Sequence, residues 1–147
     1  MRKLLKFVKN LLRKLKVVKS TKPIISKLDL KYFSPSEFDS PDEHGSGSKM
    51  DKKFLEKLDY ARGNAGIPFK INSGYRTKEW NLHIGGRVGS SHQYGLAADI
   101  ECKGSRNRAL MIKALMEVGI NRIGIGRTFI HCDVDKKKDQ DVFWLYN

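Results

Sequence analysis

The chain has 147 residues and a mass of 16.8 kDa, a length suited to one domain around one hydrophobic core. Apolar residues at 39% and charged ones at 31% exclude a disordered tail protein, a collagen-like fibre and a multi-pass membrane protein. Lys and Arg number 29 against 16 Asp and Glu, a net charge of +13, and eight of the basic residues fall within residues 1–20, which hold no acid.

Residues 1–20 place Leu4, Phe7, Val8, Leu11, Leu12, Leu15 and Val18 on one helical arc, and Arg2, Lys3, Lys6, Lys9, Arg13, Lys14 and Lys16 on the opposite one. This pattern predicts a basic amphipathic helix. It has no uncharged run of roughly 7 residues, as the core of a secretory signal needs, and it falls short of the roughly 20 apolar residues of a membrane span. Three roles stay open: lying on an anionic membrane surface, docking on a protein partner or nucleic acid, or packing against the domain. Residues 21–28 read as a linker, and residues 29–147 as the domain.

The Ser-, Pro- and Gly-rich run Ser34–Ser48 reads as loop. Asp51 is positioned to cap a helix through Asn64 whose inner face carries Phe54, Leu55, Leu58 and Ala61. Pro68–Asn72 alternates like a strand, and Thr77 begins a short helix through Ile84. Leu96–Cys102 predicts a strand, Ser105 the cap of a helix to Val118, and Arg122–Ile125, Phe129–Val134 and Val142–Tyr146 three further strands. Short strands and helices without strict βαβ alternation point to an α+β fold with a small antiparallel sheet flanked by helices.

Four histidines are present. His44 lies in a polar loop and His83 on a short helix, and neither has a carboxylate at a useful spacing. His92 precedes Gly95 and a strand on which Asp99 and Glu101 share one face, while Ile100 and Cys102 share the other. In the later strand His131 and Asp133 share a face opposite Ile130, Cys132 and Val134. If the apolar sets face the core, two imidazoles and at least two carboxylates face one cleft. That is a plausible open zinc shell, with room for a water whose pKa the metal lowers. The bland alternative is a polar sheet face with two hydrogen-bonded histidines. Cys102 and Cys132 are too few for a disulfide scaffold and read as buried thiols, with pairing open if their strands are adjacent.

FSPSEF (33–38), INSGYR (71–76), the run from Asn81 to His92, HQYGLAADI (92–100) and TFIHCDV (128–134) together resemble the D-Ala-D-Ala metallopeptidase superfamily. Its members include zinc D-Ala-D-Ala carboxypeptidases, L-alanyl-D-glutamate endopeptidases and related peptidoglycan hydrolases, among them phage lysins. The resemblance covers about residues 29–147. It implies Zn2+ held by His92, Asp99 and His131, with Arg76 on a substrate carboxylate or the polarised carbonyl oxygen. Many relatives carry an acidic general base three residues before the last zinc histidine, where this chain has Thr128. Asp133 is then the candidate base, or the partner that orients His131, and Glu101 a weaker candidate base. Ser91, Gln93 and Tyr94 are candidate groove-lining residues, or servants of their own loop.

The resemblance implies hydrolysis of stem or cross-link peptides of peptidoglycan. It places the action at the cell envelope or periplasm, or in a phage lysin or virion component. The alternative is a non-catalytic zinc module of the same fold, as in hedgehog-type signalling domains. The expected partners are peptidoglycan peptides, and an anionic membrane surface or protein partner through residues 1–20. No aromatic–basic stacking motif points to specific nucleic-acid binding.

Overall fold

The computed structural model describes residues 28–146. The expected tail (1–20) and all but the last residue of the expected linker therefore lie outside the described residues. Three helices, α1 (Lys52–Ala65), α2 (Lys78–His83) and α3 (Ser105–Glu117), combine with strands β1 (Ile71–Ser73), β2 (Ala97–Glu101), β3 (Arg122–Ile125), β4 (Phe129–Asp133) and β5 (Val142–Leu145). Two 3-10 turns, Pro35–Phe38 and Ser46–Lys49, interrupt the expected loop. Among the described residues no helix is long and apolar enough to cross a membrane.

Local chemistry explains most boundaries. The Asp51 carboxylate accepts from Phe54 N at 2.8 Å and starts α1, and Gly66, in the left-handed region at φ 63°, ends it. Thr77 Oγ1 accepts from Trp80 N at 2.9 Å and starts α2. At α3 the expected cap is displaced by one residue: Gly104, at φ 81°, takes the cap position, and Ser105 is the first helical residue. The sharp exit from β2 requires a positive φ there, which glycine adopts at little cost. β1 begins later than its alternation suggests, because Phe69 turns into the core and strand pairing begins at Ile71 opposite Ile100.

The five strands form one sheet in the order β1-β2-β4-β3-β5. The α+β class is as expected, but the sheet is mixed and not purely antiparallel, since β3 and β5 run parallel. The reason is topological. β3 and β4 pair antiparallel, so β4 ends beside the start of β3, at Asp133 opposite Arg122. The short loop 134–141 then reverses the chain around that end, and β5 starts at Val142 beside Arg122. β5 thus opposes β4 in direction, and β3 lies between them.

One face of the sheet joins the core. Ala98, Ile100, Ile123, Ile130 and Cys132 cluster with Phe54, Leu55, Leu58 and Ala61 of α1 and with Met111, Ala114 and Leu115 of α3. The expected inner face of α1 is therefore the buried one. Truncating a buried phenylalanine such as Phe54 in this cluster costs about 3–5 kcal/mol. Cys102 and Cys132 are buried free thiols. Their pairing is excluded by register, because Cys132 sits opposite Ala98 and not opposite Cys102.

Candidate metal centre

The other face of the sheet carries the polar site. Strand pairing aligns one residue from each strand in a row across it: Ser73, Asp99, His131, Gly124 and Trp144. Asp99 and His131 are direct cross-strand partners, so a shared face in each strand becomes a contact between them. His92 reaches the row from outside the sheet, on the 3-10 turn Ser91–Tyr94. Gly95 makes that turn possible: it lies at φ 68°, and a Cβ there would come within 2.5 Å of the Lys49 carbonyl oxygen.

Hydrogen bonding fixes the tautomer of His92 and orients both imidazoles. His92 Nδ1 lies 2.7 Å from the Gly74 carbonyl oxygen, which only accepts, so Nδ1 carries the proton and donates it. The remaining Nε2 lies 3.4 Å from Asp99 Oδ1. His131 Nε2 donates to Asp133 Oδ2 at 3.0 Å, which turns Nδ1 toward Asp99 Oδ1 at 2.8 Å. Three atoms able to ligate a metal, one from each of His92, Asp99 and His131, thus lie within 4.8 Å of one another. Such a convergence of ligating atoms calls for a cation, and two nitrogens with one carboxylate oxygen suit zinc. Each histidine also has a partner on its outer nitrogen, the arrangement that orients metal-binding imidazoles.

The electrostatics agree. Burial alone raises the Asp99 carboxyl, but hydrogen bonds from His131 and His92 outweigh it and hold Asp99 well below the ordinary carboxylate range. Burial lowers His92 overall, despite the nearby Asp99. For His131 burial also opposes the charged form, yet the hydrogen bonds to Asp133 and Asp99 raise its pKa. In the absence of metal, a proton on Nδ1 is what these two carboxylates favour.

Asp133 is buried, and both of its oxygens are engaged. Oδ1 accepts from Arg122 Nε at 2.7 Å and from Asp135 N at 3.0 Å, while Oδ2 accepts from His131. Burial pushes its carboxyl up, but these bonds prevail and hold it below the usual range. Arg76 donates through Nη2 to Asp99 Oδ2 at 2.7 Å and through Nε to Ser73 Oγ at 2.8 Å. Glu101 lies away from this cluster, paired with Lys70 and Lys103 near the surface. Thr128 is exposed before β4.

The three candidate lining residues divide. Ser91 is buried and serves its loop, donating to Asp135 Oδ2 at 2.9 Å and accepting from Lys138 Nζ at 2.7 Å. Gln93 is half-buried, and Tyr94 is exposed with Lys137 Nζ 5.8 Å from its ring centroid. Gly74, inside the INSGYR motif, anchors His92 through its carbonyl oxygen, and three site neighbours lie outside the motifs: Arg122, which holds Asp133, and Trp144 and Tyr146, which flank His131. For Arg122 a signal existed, as a charged residue at the head of an otherwise apolar strand.

A family model described as Peptidase M15 matches residues 31–133, from the segment before the first 3-10 turn to the end of β4. No curated protein matches the chain.

Proposed function

Because the chain belongs to the Peptidase M15 family, a family of zinc-dependent metallopeptidases, we propose that it hydrolyses peptide bonds in the stem or cross-link peptides of peptidoglycan. The observation that carries this reading is the set of three atoms able to ligate a metal, from His92, Asp99 and His131, within 4.8 Å, with the outer nitrogen of each imidazole already occupied. Those three residues would hold Zn2+, which when bound supplies a polarised water and a Lewis acid for the scissile carbonyl.

The remaining roles fall to the chain's own groups. Asp133 keeps His131 Nε2 protonated and its Nδ1 lone pair turned to the site, and Arg122 keeps Asp133 in place. Arg76 holds Asp99 Oδ2 with one arm of its guanidinium, and its Nη1 donors make no hydrogen bond among the described residues. They are available to a substrate carboxylate or to the oxygen that gains charge, a role for which a fixed planar cation is suited. The lysines at 136–138 favour an anionic substrate such as a stem peptide.

The test is digestion of purified peptidoglycan by the full chain, with and without a chelator and after zinc is restored, with fragments identified by mass. New peptide termini that disappear with chelator and return with zinc support the reading, and their identity fixes the bond. A second reading is a zinc module that binds such peptides without cleaving them. It is favoured by Thr128 in place of an acid and by the engagement of both Asp133 oxygens. Stoichiometric zinc and peptide binding without any new termini would select it.

A further inference from the structure

Asp135 lies two residues past the strand that carries His131, beyond the residues 31–133 that match the family. It is a second buried carboxylate beside Asp133, and no motif includes it. A buried carboxylate is costly unless its oxygens are hydrogen-bonded, so its partners show what it holds. Oδ2 accepts from Ser91 Oγ at 2.9 Å and has Lys138 Nζ at 3.7 Å, while Oδ1 accepts from Lys137 N at 3.1 Å. The backbone N–H of Asp135 donates to Asp133 Oδ1 at 3.0 Å, and its carbonyl oxygen accepts from Gln140 Nε2 at 3.0 Å.

These partners serve two different histidines. Ser91 directly precedes His92, in the turn that brings this imidazole to the site from outside the sheet. Asp133 orients His131 from within the sheet. The other bonds on the turn run elsewhere. His92 Nδ1 reaches the Gly74 carbonyl oxygen, Arg76 N donates to the His92 carbonyl oxygen at 3.1 Å, and Asp51 N donates to that of Gly95 at 3.0 Å. They tie the turn to the exit of β1 and the start of α1, and none of the three reaches β4 or the loop after it.

The charges nearby are arranged around the same loop. Arg122 donates to Asp133 Oδ1 and to the carbonyl oxygen of Asp139, so the cation that pairs with Asp133 also grips loop 134–141. Lys138, from that loop, donates to Ser91 Oγ at 2.7 Å. The hydroxyl accepts there and gives its own proton to Asp135, which fixes its direction. Each buried carboxylate thus has its own cation, Arg122 for Asp133 and Lys138 for Asp135.

We propose that Asp135 is a positioning residue for the metal centre: through Ser91 it braces the turn of His92, and through its backbone N–H it braces Asp133 and so His131. The loop after β4 then sets the separation of the two imidazoles, whose ring centroids are 5.2 Å apart. This rests on the metal-binding part of the proposed function and requires no hydrolysis. Metal–ligand distances tolerate only roughly 0.2 Å, so an anchor lost on one side of the turn is felt as affinity.

The experiment measures zinc affinity by chelator competition on the full-length wild type, Asp135→Ala, Ser91→Ala and the double variant. Each single variant is expected to weaken zinc by about 10-fold, the low end of the loss for a partner outside the ligand set. The double variant should lose no more than the weaker-binding single one, because both changes open the same contact. With Co2+ in place of Zn2+, the visible absorption reports coordination geometry. It should change in both single variants, whereas a loss of fold stability alone leaves it as in the wild type. Zinc affinity within about 2-fold of wild type overturns the proposal. Losses that add in the double variant overturn it too, as does weaker binding with an unchanged cobalt spectrum. If Asp135→Ala does not fold, Ser91→Ala decides by the same two measurements. A wild-type chain that binds no zinc overturns the metal reading itself, an outcome distinct from wild-type binding that the variants leave untouched.

Discussion

Replacing Asp133 by Asn separates two roles that one carboxylate can play beside a metal site. In the wild type Oδ1 serves Arg122 and Asp135 N, and Oδ2 takes the proton of His131 Nε2. The Asn oxygen will stay with the two donors on the Arg122 side, because turning it away would set the amide N–H groups against the guanidinium. The amide nitrogen then faces His131 Nε2 and can only donate to it. The imidazole must accept there, which moves its proton to Nδ1, against Asp99 Oδ1. The lone pair that the metal requires is thereby blocked. Losing the outer partner of a ligating histidine costs 10- to 100-fold in metal affinity, about 1.4–2.7 kcal/mol. We expect Asp133→Asn to weaken zinc by that factor in a chelator competition, and activity per bound zinc to fall much less than total activity. The refuting result is wild-type zinc affinity together with turnover per bound zinc reduced by about 100-fold or more. Asp133 would then be carrying the proton and not orienting the ring.

Three further outcomes follow from the same geometry. His92→Ala and His131→Ala should each abolish stoichiometric zinc, measured by metal analysis after dialysis, and full occupancy in either would remove it from the site. Asp39 accepts from the backbone N–H groups of Gly45 and Gly47 at 2.8 and 2.7 Å, and these bonds, with a smaller effect of burial against them, hold its carboxyl below the ordinary value of 3.8. A folded pKa below the unfolded one adds stability above about pH 4 and loses it as pH falls through the folded value. Asp39→Ala should therefore lower Tm by a few degrees at neutral pH, with the gap closing in acid; a constant gap would assign the loss to packing. Deleting residues 1–20, with their eight basic residues, should end co-sedimentation with anionic vesicles at low salt, while cleavage of soluble peptidoglycan fragments persists. Equal sedimentation of both forms would reject a membrane role for that segment.

Local sequence determined the parts of this protein whose causes are local. Asp51 and Thr77 cap helices because a side-chain oxygen reaches a backbone N–H three residues on, and that requires nothing distant. Alternation in β2 and β4 separated Asp99 and His131 from Ile100 and Cys132 for the same reason, since neighbouring side chains on a strand point to opposite faces. The motifs named His92, Asp99 and His131, and these three are the residues whose ligating atoms converge. Pairing decided the rest. Only the register brings Asp99 opposite His131 and Gly124 opposite both His131 and Trp144, and only the placement of β3 between β4 and β5 makes the last pair parallel. The commitment of Asp133 to Arg122, 11 residues away along the chain, is likewise invisible to spacing, because the contact runs across β3 and β4. Which groups are free to react depends on which polar neighbours burial forces them to satisfy, and those neighbours are chosen by tertiary packing.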